Sequence, residues 1–429
     1  MDNEPKRARQ EFALENNPDV LALLAELLCT QHAFFAEVSK QWRDAWGNLP
    51  KITRTVTADT SVSQLQWIFD DGRVEKYVIC ERIAERCCVD VLRFACSKGC
   101  QLSEAACFKA AARGNLQMIQ WAVGVSSVWR NMICRAAAAG GRIQVLKWAY
   151  ANGCPWDAST CSEAAGLGRL DILQWARYKN CCWDSETCAK AALGGHLRVL
   201  QWARAHGCRW DYLTCESAAI GGHLPVIQWA KANGAEWGHG TTYWAAAKGH
   251  LELLQWAWAG GCRLDESAFT RALRNGHLIT VRWIWSIGLE LPGDAKYIAA
   301  ESGHLHILQW LQSNGHQGDI SQVGRVAAAR GHLDVLQWTR SNGFHLDPGT
   351  CSEAAARGHL DIVQWARANG CEWDISTCEA AACRGHLEVL KWAHMNGCPW
   401  NSRTCAGLAR LNGHLEIAEW VQNQPGFPV

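Results

Sequence analysis

Histidine is the residue type in this sequence that is most regularly placed for metal chemistry. Neighbouring copies of a helical repeat pack roughly 8–10 Å apart, whereas zinc ligands lie about 2 Å from a shared ion. Successive histidines therefore cannot hold one zinc ion. We predict no metal site and expect each histidine to be a polar residue at a helix start that bridges neighbouring copies. Nine histidines follow a glycine at intervals of 27 or 28 residues: His196, His223, His250, His277, His304, His332, His359, His386 and His414.

Cysteine is the other residue type with reactive potential, and the chain contains 22 of them. In a long chain without a secretory signal, we expect reduced thiols that serve as small buried apolar side chains. Cysteines one repeat apart are too distant for disulfides, whose Cα atoms lie about 4.4–6.8 Å apart. Pairs with six residues between them, such as Cys154 with Cys161 and Cys371 with Cys378, could approach each other. Whether such pairs have a redox or metal role stays open.

Motifs for catalysis are missing from the sequence. It contains no Gly-x-Ser-x-Gly motif, no glycine-rich phosphate loop with a lysine, and no acid pair outside the repeat pattern. Every candidate Cys, His or Asp recurs with the repeat, which indicates a structural role. We predict no enzymatic activity, no catalytic residue and no cofactor.

Composition limits the classes of partner. The chain has 42 Lys+Arg against 41 Asp+Glu and 48% apolar residues, too apolar for a disordered chain and too balanced to attract nucleic acid. The basic run from Lys6 to Arg9 is a solvated tail or, alternatively, a nuclear address. No stretch approaches the roughly 18 apolar residues of a membrane helix, and the polar N-terminus lacks a secretory signal. We expect a monomeric, cytoplasmic protein in a reducing compartment, with a nuclear location as the alternative.

Tryptophan reveals the organisation of the chain, because it recurs in one register. Phe94 and Trp67 extend the series backward to fourteen aromatic positions. Self-similarity at a fixed period is typical of proteins whose units stack in a row. The series, at intervals of 27 or 28 residues, is Trp121, Trp148, Trp175, Trp202, Trp229, Trp256, Trp283, Trp310, Trp338, Trp365, Trp392 and Trp420.

Each copy has the pattern of two helices, as the segment from Thr350 to Asp374 shows. Its first half is rich in alanine and ends at Gly358, a residue suited to a left-handed helix cap. Its second half carries apolar residues at helical spacing around Trp365 and ends at Gly370. We predict a helical hairpin that is buried only by stacking on its neighbours.

Alanine pairs recur at one place in the first helix, where small side chains let successive first helices approach closely. We expect the periodic tryptophan of the second helix to supply the large buried area of the stack. The pairs include Ala164-Ala165, Ala191-Ala192, Ala218-Ala219, Ala245-Ala246, Ala299-Ala300 and Ala381-Ala382.

The repeated pattern Thr-Cys-x-x-Ala-Ala-x-x-Gly-His-Leu-x-Val-Leu-x-Trp resembles the ankyrin repeat over about residues 56–422. The resemblance implies an all-α curved solenoid of about thirteen ankyrin-like helical hairpins that binds a protein. The family period is 33 residues, so this variant is six residues shorter, in the style of large ankyrin families of protists and giant viruses. Only Cys-Pro-Trp-Asp-Ala-Ser links Gly153 to Thr160. Such short links leave little room for the family's protruding β-hairpin.

The segment before the repeats differs from them. Pro18-Asp-Val-Leu21 and Phe35-Ala-Glu-Val-Ser-Lys-Gln-Trp42-Arg resemble the opening and closing parts of an F-box. That resemblance implies docking on the adaptor subunit of a cullin-type ubiquitin ligase. The alternative is that these helices only cap the solenoid. The residues implied for adaptor binding are Pro18, Val20, Leu21, Leu24, Val38 and Trp42.

Differences among the copies indicate where a partner binds. The two residues after the cysteine position of the first helix vary most from copy to copy. In ankyrin-like stacks this side lies on the concave surface, so we expect a protein partner there. The candidate residues are Lys109, Glu163, Lys190, Tyr243, Trp244, Arg271 and Glu353.

A second candidate surface lies two residues after the periodic tryptophan. Most copies carry a polar residue there, such as Arg177 or Arg204, but two consecutive copies carry Trp258 and Trp285. Exposed neighbouring aromatics are typical of interaction sites. The alternative is that this pair packs against an irregular neighbouring loop.

The predicted organisation has four parts. Residues 1–15 are a disordered polar N-terminus, 16–50 an F-box-like helical module, 51–422 the ankyrin-like solenoid and 423–429 a tail. Two functions stay open: a receptor that brings a bound protein to a ubiquitin ligase, and a scaffold or decoy without a ligase link.

Overall fold

A computed structural model describes residues 89–99, 102–125, 130–316, 320–343 and 345–425. The chain divides after Trp210 into two compact bodies, which we call the N-terminal and C-terminal bodies. Within the described ranges every regular element is a helix, and none of these helices is long and apolar enough to cross a membrane. The F-box-like module and its six proposed adaptor-binding residues lie outside the described residues.

The N-terminal body contains one single helix followed by four helical hairpins among its described residues. The helices are α1 (Val89–Ser97), α2 (Glu104–Arg113), α3 (Leu116–Val125), α4 (Arg130–Ala139), α5 (Ile143–Ala151), α6 (Ala158–Gly166), α7 (Leu170–Tyr178), α8 (Ser185–Leu193) and α9 (Leu197–Ala205).

The C-terminal body contains eight further hairpins in its described part. Their helices are α10 (Leu213–Gly221), α11 (Leu224–Ala232), α12 (Thr241–Lys248), α13 (Leu251–Ala259), α14 (Glu266–Arg274), α15 (Leu278–Ser286), α16 (Ala295–Glu301), α17 (Leu305–Ser313), α18 (Ile320–Arg330), α19 (Leu333–Ser341), α20 (Pro348–Arg357), α21 (Leu360–Ala368), α22 (Ile375–Arg384), α23 (Leu387–Met395), α24 (Ser402–Leu411) and α25 (Leu415–Gln422). The predicted all-α stack of hairpins is therefore confirmed.

The ends of the helices follow from their sequences. At the start of several first helices, an aspartate carboxylate accepts a hydrogen bond from a backbone N–H group. Asp374 accepts from Ser376 at 2.9 Å and Asp184 from Glu186 at 3.1 Å. Glycines with positive φ end first helices, as Gly358 does at 79°. These caps satisfy helix-end groups that the hairpins would otherwise leave without partners.

Successive first helices pack against one another in both bodies, and the alanine pairs lie at these contacts. Ala191 and Ala192, like the equivalent alanines of the other copies, are fully buried. Most second helices add an aliphatic pair and an alanine, as Ile362, Val363 and Ala366 do in α21. The others carry threonine or a different aliphatic residue at one or more of these positions. The core is thus made of small and aliphatic side chains.

The periodic tryptophans do not supply the core, contrary to expectation. Each one in the described ranges, including Trp175 and Trp365, is only half-buried. The reason is steric: the aliphatic pair and the alanine of the same helix fill the narrow space inside the hairpin. The indole therefore lies at the edge of the stack, where it contacts side chains of the preceding hairpin.

Candidate partner-binding surfaces

The repeated histidines join neighbouring hairpins. Each occupies the position before a second helix, and in several of them Nε2 reaches a carbonyl oxygen at the end of the preceding hairpin's first helix. The distances are 3.1 Å from His196 to Gly166 and from His277 to Ala247, and 2.9 Å from His304 to Arg274. The ring donates through Nε2–H and satisfies a helix-end carbonyl. The expected bridging role is confirmed for these histidines.

Close packing against glycine holds each ring in place. A Cβ added to Gly358 would lie 2.6 Å from Nδ1 of His386. Arginine performs the same task where histidine is missing, since Arg142 Nε donates to the Ala112 carbonyl at 3.1 Å. No group of three or more metal-binding side chains occurs among the described residues.

Burial affects the acid–base behaviour of one of the repeated histidines. It lowers the pKa of His386, and the neighbouring His359 and His414 lower it further, although the hydrogen bond to Ala356 opposes them. His386 is therefore bound in its neutral form.

The cysteines in the described ranges are free thiols, and most of them are buried. Their close partners differ from the expected ones. Cys371 lies with its Sγ 3.1 Å from Sγ of Cys351, twenty residues earlier. The thiol in contact with Cys371 is thus Cys351, because the chain runs back along the second helix and brings the end of a hairpin against its own first helix.

Charged side chains link neighbouring first helices on the outer face of the N-terminal body. Oε1 of Glu163 lies 3.2 Å from Arg135 Nη2 and 2.8 Å from Lys190 Nζ. The carboxylate thus bridges α4, α6 and α8. Two of the proposed partner-binding residues, Glu163 and Lys190, are therefore paired with each other and half-buried.

The outer face of the C-terminal body carries an aromatic cluster at the equivalent place. The rings of Tyr243 and Trp244 meet edge to face at 5.1 Å, and the Arg271 guanidinium lies 5.0 Å from the Tyr243 ring centroid. We call Tyr243, Trp244 and Arg271 the first-helix patch. Both rings are half-buried and Arg271 is exposed. The patch spans two adjacent hairpins.

The remaining first-helix candidates lie at the surface without a common cluster. Lys109 is half-buried and Glu353 is exposed. Some other positions with variable sequence point inward, since Ser162 and Ala189 are buried. Sequence variation at these two positions therefore combines surface changes with changes in packing.

Further ion pairs continue along the first helices of the C-terminal body. The carboxylate of Glu301 accepts hydrogen bonds from Arg274 at 3.2 Å and from Arg330 at 2.7 Å. Arg325 donates to Asp347 at 2.7 Å. Burial alone raises the pKa of Asp347, but the hydrogen bonds from Arg325 and Thr350 outweigh it and hold this pKa below its usual value.

On the second helices, a tryptophan from the loop after each of several hairpins packs against the next periodic tryptophan. The ring centroids are 5.9 Å apart for Trp183 and Trp202, and 5.8 Å for Trp373 and Trp392, in edge-to-face geometry. The residue two positions after the periodic tryptophan covers the loop ring, as Arg177 does over Trp183 at 4.2 Å. Arg177 also donates to the Cys181 carbonyl. This position is therefore a stacking position rather than a freely solvated one.

Trp258 and Trp285 occupy this stacking position in two hairpins whose loops lack the tryptophan. Leu264 and Leu291 stand in its place. Trp258 itself packs edge to face on Trp283 at 5.8 Å, and Trp285 on Trp310 at 5.5 Å. Trp258 is 43% exposed and Trp285 is 44% exposed. They thus replace the missing loop rings and also present apolar surface.

The loop tryptophans were missed as structural residues by sequence reasoning. The available signal was a pairing between positions: Arg or Lys stands two residues after the periodic tryptophan where the loop has tryptophan, as in Lys231 with Trp237. Buried Lys296 was also missed; its Nζ donates to Gln312 Oε1 at 2.8 Å, and burial lowers its pKa.

Comparison with known proteins gives limited information. No protein family model matches the chain, and no curated protein matches it. Among solved structures, the crystal structure of the human ASB11 ankyrin repeat domain is similar over 37% of this chain and 84% of that chain. The identity is 17% and the TM-score 0.32. A similarity at this level assigns no residue a role.

Proposed function

We propose that this chain is an ankyrin-like repeat protein that binds a protein partner through the exposed side of its first helices and performs no catalysis. The observation that supports this proposal is the first-helix patch of Tyr243, Trp244 and Arg271. Tyrosine, tryptophan and arginine are the side chains that most often dominate protein interfaces. Here their mutual contacts hold them in place before binding, which reduces the entropy lost on association.

Site-specific photo-crosslinking tests this surface. A photoreactive residue in place of Arg271 is expected to capture one protein, whereas the same residue in place of the exposed Arg198 on α9 serves as the control. The captured protein is then made recombinantly and titrated. Tyr243→Ala is expected to weaken its binding at least about tenfold, as hot-spot truncations do. Equal capture from both positions, or an unchanged dissociation constant, contradicts the proposal.

Trp258 and Trp285 are proposed as a second contact with the same kind of partner. Because each is more than two fifths exposed, Trp258→Ala with Trp285→Ala is expected to weaken capture with only a small fall in melting temperature. A large fall would show that the two rings act mainly as packing residues. The binding measurement uses the partner identified through the first-helix patch.

The finer proposal is that the bound protein is brought to a ubiquitin ligase. Its support is the F-box-like sequence from Pro18 to Trp42. The test is binding of a purified cullin-ligase adaptor subunit, measured by calorimetry, to the full chain, to the chain lacking residues 1–50, and to Trp42→Ala. The receptor predicts adaptor binding that both changes abolish while target binding persists.

A scaffold or decoy without a ligase link is the second candidate function. It predicts that the full chain binds its target but not the adaptor. In that case residues 16–50 serve as a cap for the repeats, and their removal lowers the melting temperature instead of abolishing adaptor binding.

A further inference from the structure

Five hairpins place cysteines at the same two positions, twenty residues apart, and in four of them the two thiols contact each other. In the fifth, Cys134 Sγ lies 3.9 Å from the carbonyl oxygen of Cys154 instead. One thiol lies on the first helix and the other in the loop directly after the second helix. Cys351 Sγ and Cys371 Sγ are 3.1 Å apart, and the other three pairs also share a side-chain hydrogen bond. The pairs are Cys161 with Cys181, Cys188 with Cys208, Cys351 with Cys371, and Cys378 with Cys398.

Each loop thiol has a second fixed contact. Cys371 Sγ lies 3.1 Å from the carbonyl oxygen of Asp347, the residue that caps the first helix of the same hairpin. Cys208 makes the equivalent contact with Asp184 at 3.2 Å. Both thiols of each pair are buried. The two sulfur atoms are therefore held in contact by the surrounding hairpin.

Packing alone does not require two thiols at these positions. The hairpin of α10 and α11 has Cys215 with Ala235 there, and that of α16 and α17 has Lys296 with His316. These hairpins have the same helical arrangement as the others. The paired thiols therefore bring a chemical capacity that the fold itself does not need.

We propose that these four pairs are dithiol modification sites at which a hydroperoxide forms a disulfide within one hairpin. In the first step the Cys371 thiolate attacks the peroxide, giving a sulfenic acid and hydroxide, or an alkoxide from an organic peroxide. In the second step the Cys351 sulfur displaces the sulfenic hydroxyl, and the thiol proton leaves with it as water. The pair loses two electrons and the peroxide gains them.

The geometry suits this product. A disulfide needs its sulfur atoms about 2.05 Å apart, so the contact at 3.1 Å closes by about 1 Å. The product is neutral, which favours it in a buried site where charged thiolates and their metal complexes are disfavoured.

The two thiols have different roles. The hydrogen bond to Cys371 and burial raise the pKa of Cys351. The hydrogen bond from Cys351 lowers the pKa of Cys371, although burial opposes it. In this pair, where Cys351 donates to Cys371, Cys371 is accordingly the attacking thiol and Cys351 the one that resolves the sulfenic acid. The assignment does not extend to the Cys161–Cys181 pair, in which the hydrogen bond raises the pKa of the loop thiol Cys181.

The bridge would fix the loop that carries the stacking tryptophan. Trp373 follows Cys371 by two residues and packs on Trp392 of the next hairpin. A disulfide limits the unfolded chain and thereby raises stability. Oxidation should therefore raise the melting temperature and make the joint between hairpins stiffer.

The test treats the full chain with stoichiometric hydrogen peroxide, blocks free thiols with iodoacetamide, and maps non-reduced peptides by mass spectrometry. We expect cross-links within the four pairs, with a rise in melting temperature that dithiothreitol reverses. Bridges from Cys351 to Cys398, bridges between molecules, or thiol loss only after unfolding would overturn the proposal.

Variants that copy other hairpins of this chain provide the controls. Cys371→Ala, which reproduces Ala235, is expected to abolish the bridge to Cys351 and to leave the Cys378–Cys398 bridge. Cys378→Thr, which reproduces Thr242, does the reverse and serves if the first variant folds poorly. Cys215→Ser leaves all four bridges. If any one variant loses every bridge, the proposal that each pair forms its disulfide independently is contradicted.

Discussion

At the scale of single residues, one histidine has three structural roles. His386 precedes the second helix of its own hairpin, hydrogen-bonds the Ala356 carbonyl of the preceding hairpin, and covers Gly358. Sequence spacing was enough to predict a bridge rather than a metal ligand. The acceptor was not predictable, because it depends on how closely two hairpins approach.

One of the repeated histidines, His386, predicts a loss of stability in acid. His386 has a folded-state pKa below its unfolded value of about 6.5, so the unfolded state binds more protons in the window between the two. The free energy of unfolding is constant above the unfolded pKa and falls as pH decreases through it. Thermal melts of the wild type should therefore show a lower midpoint at pH 5.5 than at pH 7.5.

His386→Arg provides the matched variant for this prediction. Arg142 shows that arginine makes the same bridge to the preceding hairpin, and arginine does not titrate in this range. The variant should keep its stability at neutral pH and lose part of the fall in acid. An identical fall in both proteins would place the pH dependence in other groups.

The cysteine pairs show the limit of residue-scale reasoning. Separation along the chain suggested Cys371 with Cys378, which have six residues between them. The real neighbour, Cys351, is twenty residues away because the hairpin folds back on itself. The predicted hairpin already implied this return, since two helices of similar length bring the end of a copy near its own first helix.

At the scale of helices and loops, tryptophan acts in two layers. The periodic ring lies at the edge of the second helix, and the loop ring of the preceding hairpin packs against it. The helical period was readable from sequence, but the depth of each ring was not: helical spacing groups Val363, Trp365 and Ala366 together, and only packing decides which of them is enclosed. The smaller side chains are enclosed here because first helices lie close.

Loop tryptophans are therefore expected to matter more for stability than the exposed rings of the same ladder. Trp373 is 9% exposed, packs on Trp392 and is covered by Arg367 at 4.7 Å. Trp373→Ala should lower the free energy of unfolding by about 3 kcal/mol, as for other buried large aromatics. Chemical denaturation measures this loss.

Trp285→Ala is the control, because Trp285 is 44% exposed and keeps one ring contact, with Trp310. Its loss should be clearly smaller. Equal losses for the two variants would show that ring stacking, and not burial, sets the contribution of this ladder.

At the scale of the whole molecule, contacts connect each hairpin mainly with its neighbours. Stability in such arrays is approximately a sum of unit and nearest-neighbour terms. The repeat period predicted this organisation directly, since fourteen aromatic positions shared one register. The N-terminal module could be inferred only by resemblance, because its sequence occurs once and offers no internal copies to compare.

A local defect should therefore stay local. Gly358→Ala puts a Cβ where φ is +79° and 2.6 Å from the His386 ring, so it breaks the joint between α20 and α23. Hydrogen exchange measured by mass spectrometry should accelerate in α20–α23 and stay unchanged in α4–α7. Uniform acceleration would indicate a single cooperative unit.

Gly370→Ala separates the two causes in that experiment. Gly370 has nearly the same backbone angle, φ +82°, but its added Cβ meets nothing within 4 Å. The backbone cost, about 1 kcal/mol, is common to both variants. The excess effect at Gly358 measures the contact with histidine.

The hydrogen bond from a repeated histidine to the preceding hairpin also explains how such a chain can change its number of copies. Every copy with this hydrogen bond supplies a histidine donor to the preceding copy and a carbonyl acceptor to the following copy. The pair of His277 and Ala247 is one example. Duplication or loss of a whole number of copies therefore leaves each new junction with a complete set of matching ends. The molecule can acquire or discard binding surface by recombination without a new connector having to evolve.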